Sequence, residues 1–315
     1  MTEEQAGRRE QIASGGVFAS PLFWKLALVA SALTWGFSFF VVKDAVEVMP
    51  TFQLLALRFM GAAVLMLAAF FGAVRAHLDR TTILVGVGMG VFEWAAYALQ
   101  TFGIAETTAG KNAFLTGVYC IIVPFISYFA MGEKLTRYNV GAAVLCLAGI
   151  AFVALDNLSI NRGDLLTLGG AVFYALQLVV AAKYGRTQDV NAMTFWMFLT
   201  MGVLSVACCA AFEEPLPLDE LTPSLVLTIV FLSAICTCLL LVIMNQGLTH
   251  VPASTGSLLL SLESPSGVFF AAVFAHEALS ARLLVGFALI FCSIVLSETH
   301  FDFLQGRLPR KQAGN

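Results

Sequence analysis

Ten apolar runs, each about the length of a membrane-crossing helix, follow one another with little between them. Their approximate limits are 23–42, 51–73, 82–104, 109–131, 138–155, 164–183, 192–212, 222–246, 252–275 and 281–298. Crossing the hydrocarbon core takes about 20 mainly apolar residues, so each run is a candidate transmembrane helix. The breaks are short and marked by Met49-Pro50, Gly110-Lys111, Gly132-Glu133, Arg162-Gly163-Asp164, Pro215-Leu216-Pro217 and Val251-Pro252. Links this brief force successive helices to run antiparallel. Composition points the same way: 59% of residues are hydrophobic, 12% are charged and the mean hydropathy is +0.87. An ordinary soluble domain carries about 25% charged residues, and no water-soluble shape of 315 residues could hide so much apolar surface. The expected fold class is therefore an all-α membrane protein of ten transmembrane helices. The net charge of -3 says nothing about nucleic acid; no basic stripe is present, and no nucleic-acid partner is expected.

Residues 1–20 and 299–315 are polar and read as cytoplasmic tails, with no cleaved signal peptide expected. The seven cysteines all lie in apolar runs without metal-type spacing, which predicts small hydrophobes rather than a disulfide framework or a metal site. Lys and Arg choose the orientation. With ten alternating spans, twelve of these residues fall on one side and four on the other (Lys43, Lys111, Arg162 and Arg282), with Arg58 inside the membrane. Both termini are thus expected on the cytoplasmic side of a cell inner (plasma) membrane.

The chain also resembles itself. TFGIAETTAGKNAFL at 101–115 aligns with NQGLTHVPASTGSLL at 245–259, an offset of 144 that also brings Glu133 onto Glu277. ALTWGFSFF at 32–40 aligns with AVFYALQLV at 171–179 at an offset of 139. Each half, 21–156 and 163–298, then holds five spans, and an odd number per half inserts the two copies upside down relative to each other. The expected architecture is two inverted five-helix repeats (5+5), with a binding site near the midplane between them and alternating access by rocking of one half against the other.

Trp35-Gly36, Pro50 with Arg58, and Gly132-Glu133-Lys134-Leu135-Thr136 followed by Gly141 and Gly149 resemble the drug/metabolite transporter superfamily, specifically its EamA-type ten-helix branch. The resemblance implies a central cavity lined by spans 1, 3, 4, 6, 8 and 9, and the carriage of amino acids or other small metabolites, often outward. The chain departs from the family pattern at Tyr119-Cys120 in span 4, at Ser264-Pro265 in span 9 and at His276-Glu277.

Ionisable groups inside a bilayer are costly, so they mark cavities or partners. Glu93 lies midway along span 3 and Glu263 midway along span 9; both are candidates to bind a cationic substrate group or carry a coupled proton. Glu93, Tyr97 and Gln100 stand at i, i+4 and i+7 on one helical face, bordered by Trp94. Trp35 and Ser38 in span 1 have Tyr174 and Gln177 as repeat partners in span 6, two aromatic/polar pairs suited to opposite walls. Lys111, Tyr119 and Asn245 complete the candidate substrate-binding set. For Lys111 the alternatives are snorkelling or pairing with Glu106, and for each aromatic residue the alternative is simple packing. Arg58 reads as a structural anchor held by a carbonyl or an acid, with substrate binding as the alternative. Glu133 and Glu277 read as carboxylates serving the helix starts they precede. Gly86, Gly88 and Gly90 read as packing residues, and Thr255, Ser257, Ser261 and Ser264 as interhelical glue.

The functional expectation is a non-enzymatic secondary active or facilitative transporter, monomeric and without cofactor. Its partners would be a small-molecule substrate and the lipid bilayer, with protons as the candidate coupling ion, and amino-acid or related metabolite export is the leading reading. No phosphate-binding loop and no HExxH zinc motif occur. Organic phosphates or nucleotide sugars are the alternative within the class; an intramembrane enzyme and a receptor or scaffold are the alternatives outside it.

Overall fold

The computed structural model describes residues 20–132, 134–154, 161–185, 187–217, 221–251, 259–274, 276–277 and 279–299. Glu133, Thr255 and Ser257 lie outside the described residues. Every regular element among the described residues is helical. Spans 1 to 3 are single helices, α1 (Pro21–Val46), α2 (Thr51–Ala76) and α3 (Arg80–Glu106). Span 4 is divided into α4 (Ala109–Thr116) and α5 (Tyr119–Met131), and span 5 is α6 (Arg137–Ala154). In the second half α7 (Arg162–Tyr184) and α8 (Val190–Phe212) form spans 6 and 7. Span 8 runs through α9 (Pro223–Val230), a π-helical segment (Phe231–Leu239) and α10 (Leu240–His250). Span 9 contains α11 (Glu263–Phe274), and span 10 is α12 (Ala281–Thr299). Seven of these spans are long and apolar enough to cross a membrane, and spans 5 and 10 are shorter apolar helices. Large apolar side chains such as Val64, Phe129, Leu147, Phe212 and Leu227 face outward, as lipid contact requires.

The packing is unchanged when each span is exchanged for its repeat partner. Span 2 packs on span 7, span 4 on span 9 and span 5 on span 10; span 3 packs on span 6, and span 8 on span 1. The apolar core divides across the halves instead of between them. One cluster rests chiefly on spans 1–3, 7 and 8, the other on spans 4, 5, 9 and 10.

The repeat shares a defect as well as a fold. In span 4, Val118 N–H donates to Leu115 O (3.3 Å) and Cys120 N–H to Gly117 O (3.2 Å). In span 9, at the offset of 144, Leu262 N–H donates to Leu259 O (3.3 Å) and Ser264 N–H to Ser261 O (3.2 Å). Both helices therefore tighten for a turn to three-residue spacing. Pro265, lacking an N–H, leaves the Ser261 carbonyl to Ser264. Span 4 makes the same turn without a proline, at Gly117, where a β-carbon would collide with the Ser264 hydroxyl. The continuous fourth span expected from hydropathy is thus two helices, because an apolar count does not register a change of hydrogen-bond spacing.

Close approach is concentrated where α3 crosses α7. A β-carbon on Gly103 would lie 2.9 Å from Gly163 O, and one on Gly163 would lie 2.6 Å from Gly103 O, so neither position admits a side chain. Gly86 and Gly90 press against α8 in the same way, whereas Gly88 has nothing within 4 Å and is not a packing residue.

One end of the bundle is tied by charges placed on helix termini. Lys43 Nζ caps the end of α3 by donating to the carbonyls of Ile104 (3.0 Å), Ala105 (3.3 Å) and Thr107 (3.2 Å). Glu277 accepts from Ala109 N–H (2.7 Å) and Gly110 N–H (3.1 Å) at the start of α4. It therefore serves span 4 and not the helix that follows it, because the antiparallel bundle brings the end of span 9 beside the start of span 4. Glu213 does the same for α2 through Phe52 N–H and Gln53 N–H. At the N-terminus of α3, Thr82 donates through its amide and its hydroxyl to Asp79 and holds that carboxyl below the usual carboxylate range. Removing the Glu277 carboxylate (Glu277→Ala) orphans two helix-start amides and is expected to cost about 1–2 kcal/mol. The check is the melting temperature of the purified protein in detergent; an unchanged value would deny Glu277 this role.

Candidate functional site

Inside the bundle a cavity is lined by residues of spans 1–4, 6, 8 and 9. Glu93 reaches it from the middle of α3, the fourteenth of its 27 residues, roughly 20 Å of helix from either end. Tyr97, Gln100 and Thr101 continue the same wall, so the stripe opening at Glu93 does face a cavity. Trp94 does not join it: its indole N–H donates to Ser205 Oγ (3.1 Å) and its ring stacks on Phe52.

The repeat builds both walls of this space. Trp35 and Ser38 line it from α1, and Tyr174 and Gln177 line it from α7, at the offset of 139. Trp35 donates to Cys236 O in span 8 (2.7 Å), while Tyr174 donates to Gln100 Oε1 in span 3 (3.0 Å). Spans 3 and 8 are themselves repeat partners, so the two aromatic residues bond equivalent spans, though at non-equivalent positions. The Cys236 carbonyl belongs to the π-helical segment, a geometry often found at functional positions. At the offset of 144, Tyr97 and Gln100 correspond to Leu241 and Met244, and Tyr119 corresponds to Glu263; all six line the cavity. Tyr119 and Glu263 stand at the tightened turns of spans 4 and 9. Positions are therefore symmetric while chemistry is not: one wall offers a phenol and an amide where the other offers two apolar side chains.

Several groups in this space are held, and several are not. Gln100 is fixed by Tyr174, by its Nε2 donating to Thr116 Oγ1 (2.9 Å), and by its carbonyl accepting from Asn112 Nδ2 (3.1 Å). Asn112 Nδ2 also donates to Thr167 Oγ1 (2.7 Å), whose own proton goes to Gly163 O. Both partners of Asn112 Nδ2 are acceptors, which fixes the amide and leaves Asn112 Oδ1 buried and unbonded. Glu93 is 2% exposed and its Oε2 is likewise buried without a hydrogen-bond partner. No hydrogen bond or ion pair to the Glu263 carboxylate occurs among the described residues. Arg58, 3% exposed, lines the same cavity from α2.

Two expected site residues lie elsewhere. Lys111 stands on the first turn of α4, outside the cavity wall, because the helix turns the next residue, Asn112, inward instead. It does not pair with Glu106 either; that carboxylate meets Arg162 at 3.3 Å. Asn245 is buried, but its Nδ2 donates to Thr194 Oγ1 (2.9 Å) and ties span 8 to span 7, away from the cavity. Conversely, Asn112, Thr116 and Thr101 line the cavity although sequence reasoning did not single them out. Asn112 and Thr116 share a face at i and i+4 of α4, the one signal that could have found them. Arg58, for which anchoring is the first reading and binding the alternative, lines it as well.

Among the described residues no three His, Cys, Asp or Glu side chains gather as a metal site, and the seven cysteines are free. Replacing Trp35 by Phe keeps a ring but strands the Cys236 carbonyl, at an expected cost of about 1–3 kcal/mol. A melting temperature equal to that of the unaltered protein would show that this bond does not hold spans 1 and 8 together.

Comparison with known proteins agrees with this architecture. The profile of the EamA-like transporter family matches twice, over residues 22–155 and 161–299. An uncharacterized transporter of Archaeoglobus fulgidus is 25% identical over 275 residues, covering 87% of this chain and 85% of that protein. The uncharacterized transporter YoaV of Bacillus subtilis (strain 168) is 24% identical over 284 residues, 88% and 97% of the two chains. A solved crystal structure, 18% identical, shares the fold with a TM-score of 0.66 over 88% of this chain and 97% of its own.

Proposed function

Because the chain belongs to the EamA-like transporter family of the drug/metabolite transporter superfamily, we propose that it is a secondary or facilitative carrier. Its cargo would be small polar metabolites, with amino acids or close relatives exported by alternating access. The observation that carries this reading is the cavity that Glu93 and Glu263 line from opposite repeats, their carboxyl groups making no hydrogen bond or ion pair among the described residues. Glu93 and Asn112 offer acceptors to an ammonium group, while Leu241 and Met244 offer an apolar surface to a side chain. Tightened turns in two facing helices, both at the cavity, are the kind of discontinuity that transporters use near the bilayer midplane.

The apolar clusters suggest what moves: spans 4, 5, 9 and 10 rocking against spans 1–3, 7 and 8, each body drawing on both halves. Glu93 and Glu263 are the candidates for a coupled proton. The twelve-to-four distribution of Lys and Arg supports both termini cytoplasmic in the inner membrane. Organic phosphates fit less well, since Arg58 is the one cation lining the cavity among the described residues.

Purified protein in proteoliposomes, loaded with neutral or aromatic amino acids, tests the reading with and without a pH gradient. Glu93→Gln and Glu263→Gln are each expected to reduce counterflow by about tenfold or more, the equivalent of one charge-assisted contact. Both variants should also flatten the dependence on pH. Unchanged flux and unchanged pH response in both would remove these acids from the mechanism.

A further inference from the structure

We propose that Arg58 is the specificity-determining anchor for a carboxylate on the substrate, so that the carrier selects zwitterions over the amines and esters derived from them. This deepens the reading above and rests on it.

Arg58 is clamped but unsaturated. Its Nε donates to Thr237 Oγ1 at 2.6 Å, and Thr237 commits its own proton to Leu232 O at 2.8 Å. The guanidinium carbon lies 4.6 Å from the Tyr97 ring centroid and 5.7 Å from that of Phe59. These contacts fix the plane of the group. They occupy only one of its five N–H donors, and its terminal nitrogens make no hydrogen bond among the described residues. With Nε taken, the edge left free is the one formed by the two terminal nitrogens, a fork that matches a carboxylate.

An arginine that only anchored structure in the membrane would be expected to saturate itself on an acid or on carbonyls. Acids are near: Glu93 and Glu263 line the same cavity. Neither comes within the 4.0 Å of an ion pair with Arg58. The structure thus holds a guanidinium and two carboxyl groups in one low-dielectric space without pairing them, and Glu93 Oε2 and Asn112 Oδ1 are buried and unbonded. Buried charge of this kind needs a partner. A monoamine would satisfy the acceptors but leave Arg58 bare. An organic anion would satisfy Arg58 and face two acids. A molecule with both an ammonium and a carboxylate meets both ends at once, and the apolar positions Leu241 and Met244 remain for its side chain.

The experiment uses matched trios: L-leucine, 3-methylbutylamine and L-leucine methyl ester, and L-tryptophan, tryptamine and L-tryptophan methyl ester. Binding is read by thermal shift on the purified protein and by competition against counterflow of the labelled amino acid. The unaltered protein should prefer each amino acid to its amine and ester by about tenfold or more, as a bidentate carboxylate contact allows. Arg58→Gln should erase that preference by weakening the amino acid alone, and Arg58→Lys, which keeps the charge without the fork, should restore only part of it. Thr237→Val leaves Arg58 in place but frees Nε, so it keeps the test open if Arg58→Gln does not fold; it should narrow the preference. An unaltered protein that binds amine and amino acid equally, or an Arg58→Gln protein that weakens all three members of a trio alike, overturns the anchor. Amino acids that bind with a preference indifferent to Arg58 remove the anchor and leave the carrier reading standing. Failure of every trio to bind removes both.

Discussion

Inside hydrocarbon, no water satisfies a polar group that the chain leaves open, and that single constraint orders the molecule. It explains why the described elements are helical and why the starts and ends of spans are closed by side chains from distant parts of the sequence. Lys43 gathers three carbonyls at the end of α3, and Glu277 gathers two amides at the start of α4. It also explains why departures from regular helix carry meaning. The turns at Gly117-Val118 and Ser261-Leu262 keep their hydrogen bonds by tightening, and the π-helical stretch of span 8 gives its loosened carbonyls to Trp35 and Thr237. Among the described residues the buried side-chain groups left unbonded are Glu93 and Asn112 at the cavity and Trp196 and Ser233 away from it.

Much of this was legible in the amino-acid order. Hydropathy located all ten spans because apolar length is what a bilayer measures. The offsets of 139 and 144 located the repeat, and with it the pairing of Trp35 and Ser38 with Tyr174 and Gln177 at the cavity. The face carrying Glu93, Tyr97 and Gln100 was legible because helical spacing is rigid. What remained hidden depends on rotation about a helix axis. Lys111 and Asn112 are neighbours, and which of them turns inward is decided by how α4 packs on α3 and α7. Asn245 looks as suitable as Gln100 until its bond to Thr194 is seen. Arg58 carries no sequence mark of being partly satisfied, since its hydrogen-bond partner Thr237 lies 179 positions away. The divided span 4 escaped for a related reason: hydropathy reports solvent, not the spacing of hydrogen bonds.

The two halves also intermingle more than an internal repeat suggests. A duplicated unit invites the picture of two rigid lobes, one per copy. The apolar side chains instead join spans 4 and 5 to spans 9 and 10, and spans 1–3 to spans 7 and 8. The copies are related by exchange, and the packed bodies cut across them.

The unlike residues at matched positions of spans 3 and 8 have a consequence for how such a chain can diversify. Tyr97 and Gln100 are enmeshed with Arg58 and Tyr174, so exchanging them disturbs several neighbours together. Leu241 and Met244 hold the corresponding places with no polar obligations. A lineage can resize or reshape that side one substitution at a time while the hydrogen-bonded side stays as it was.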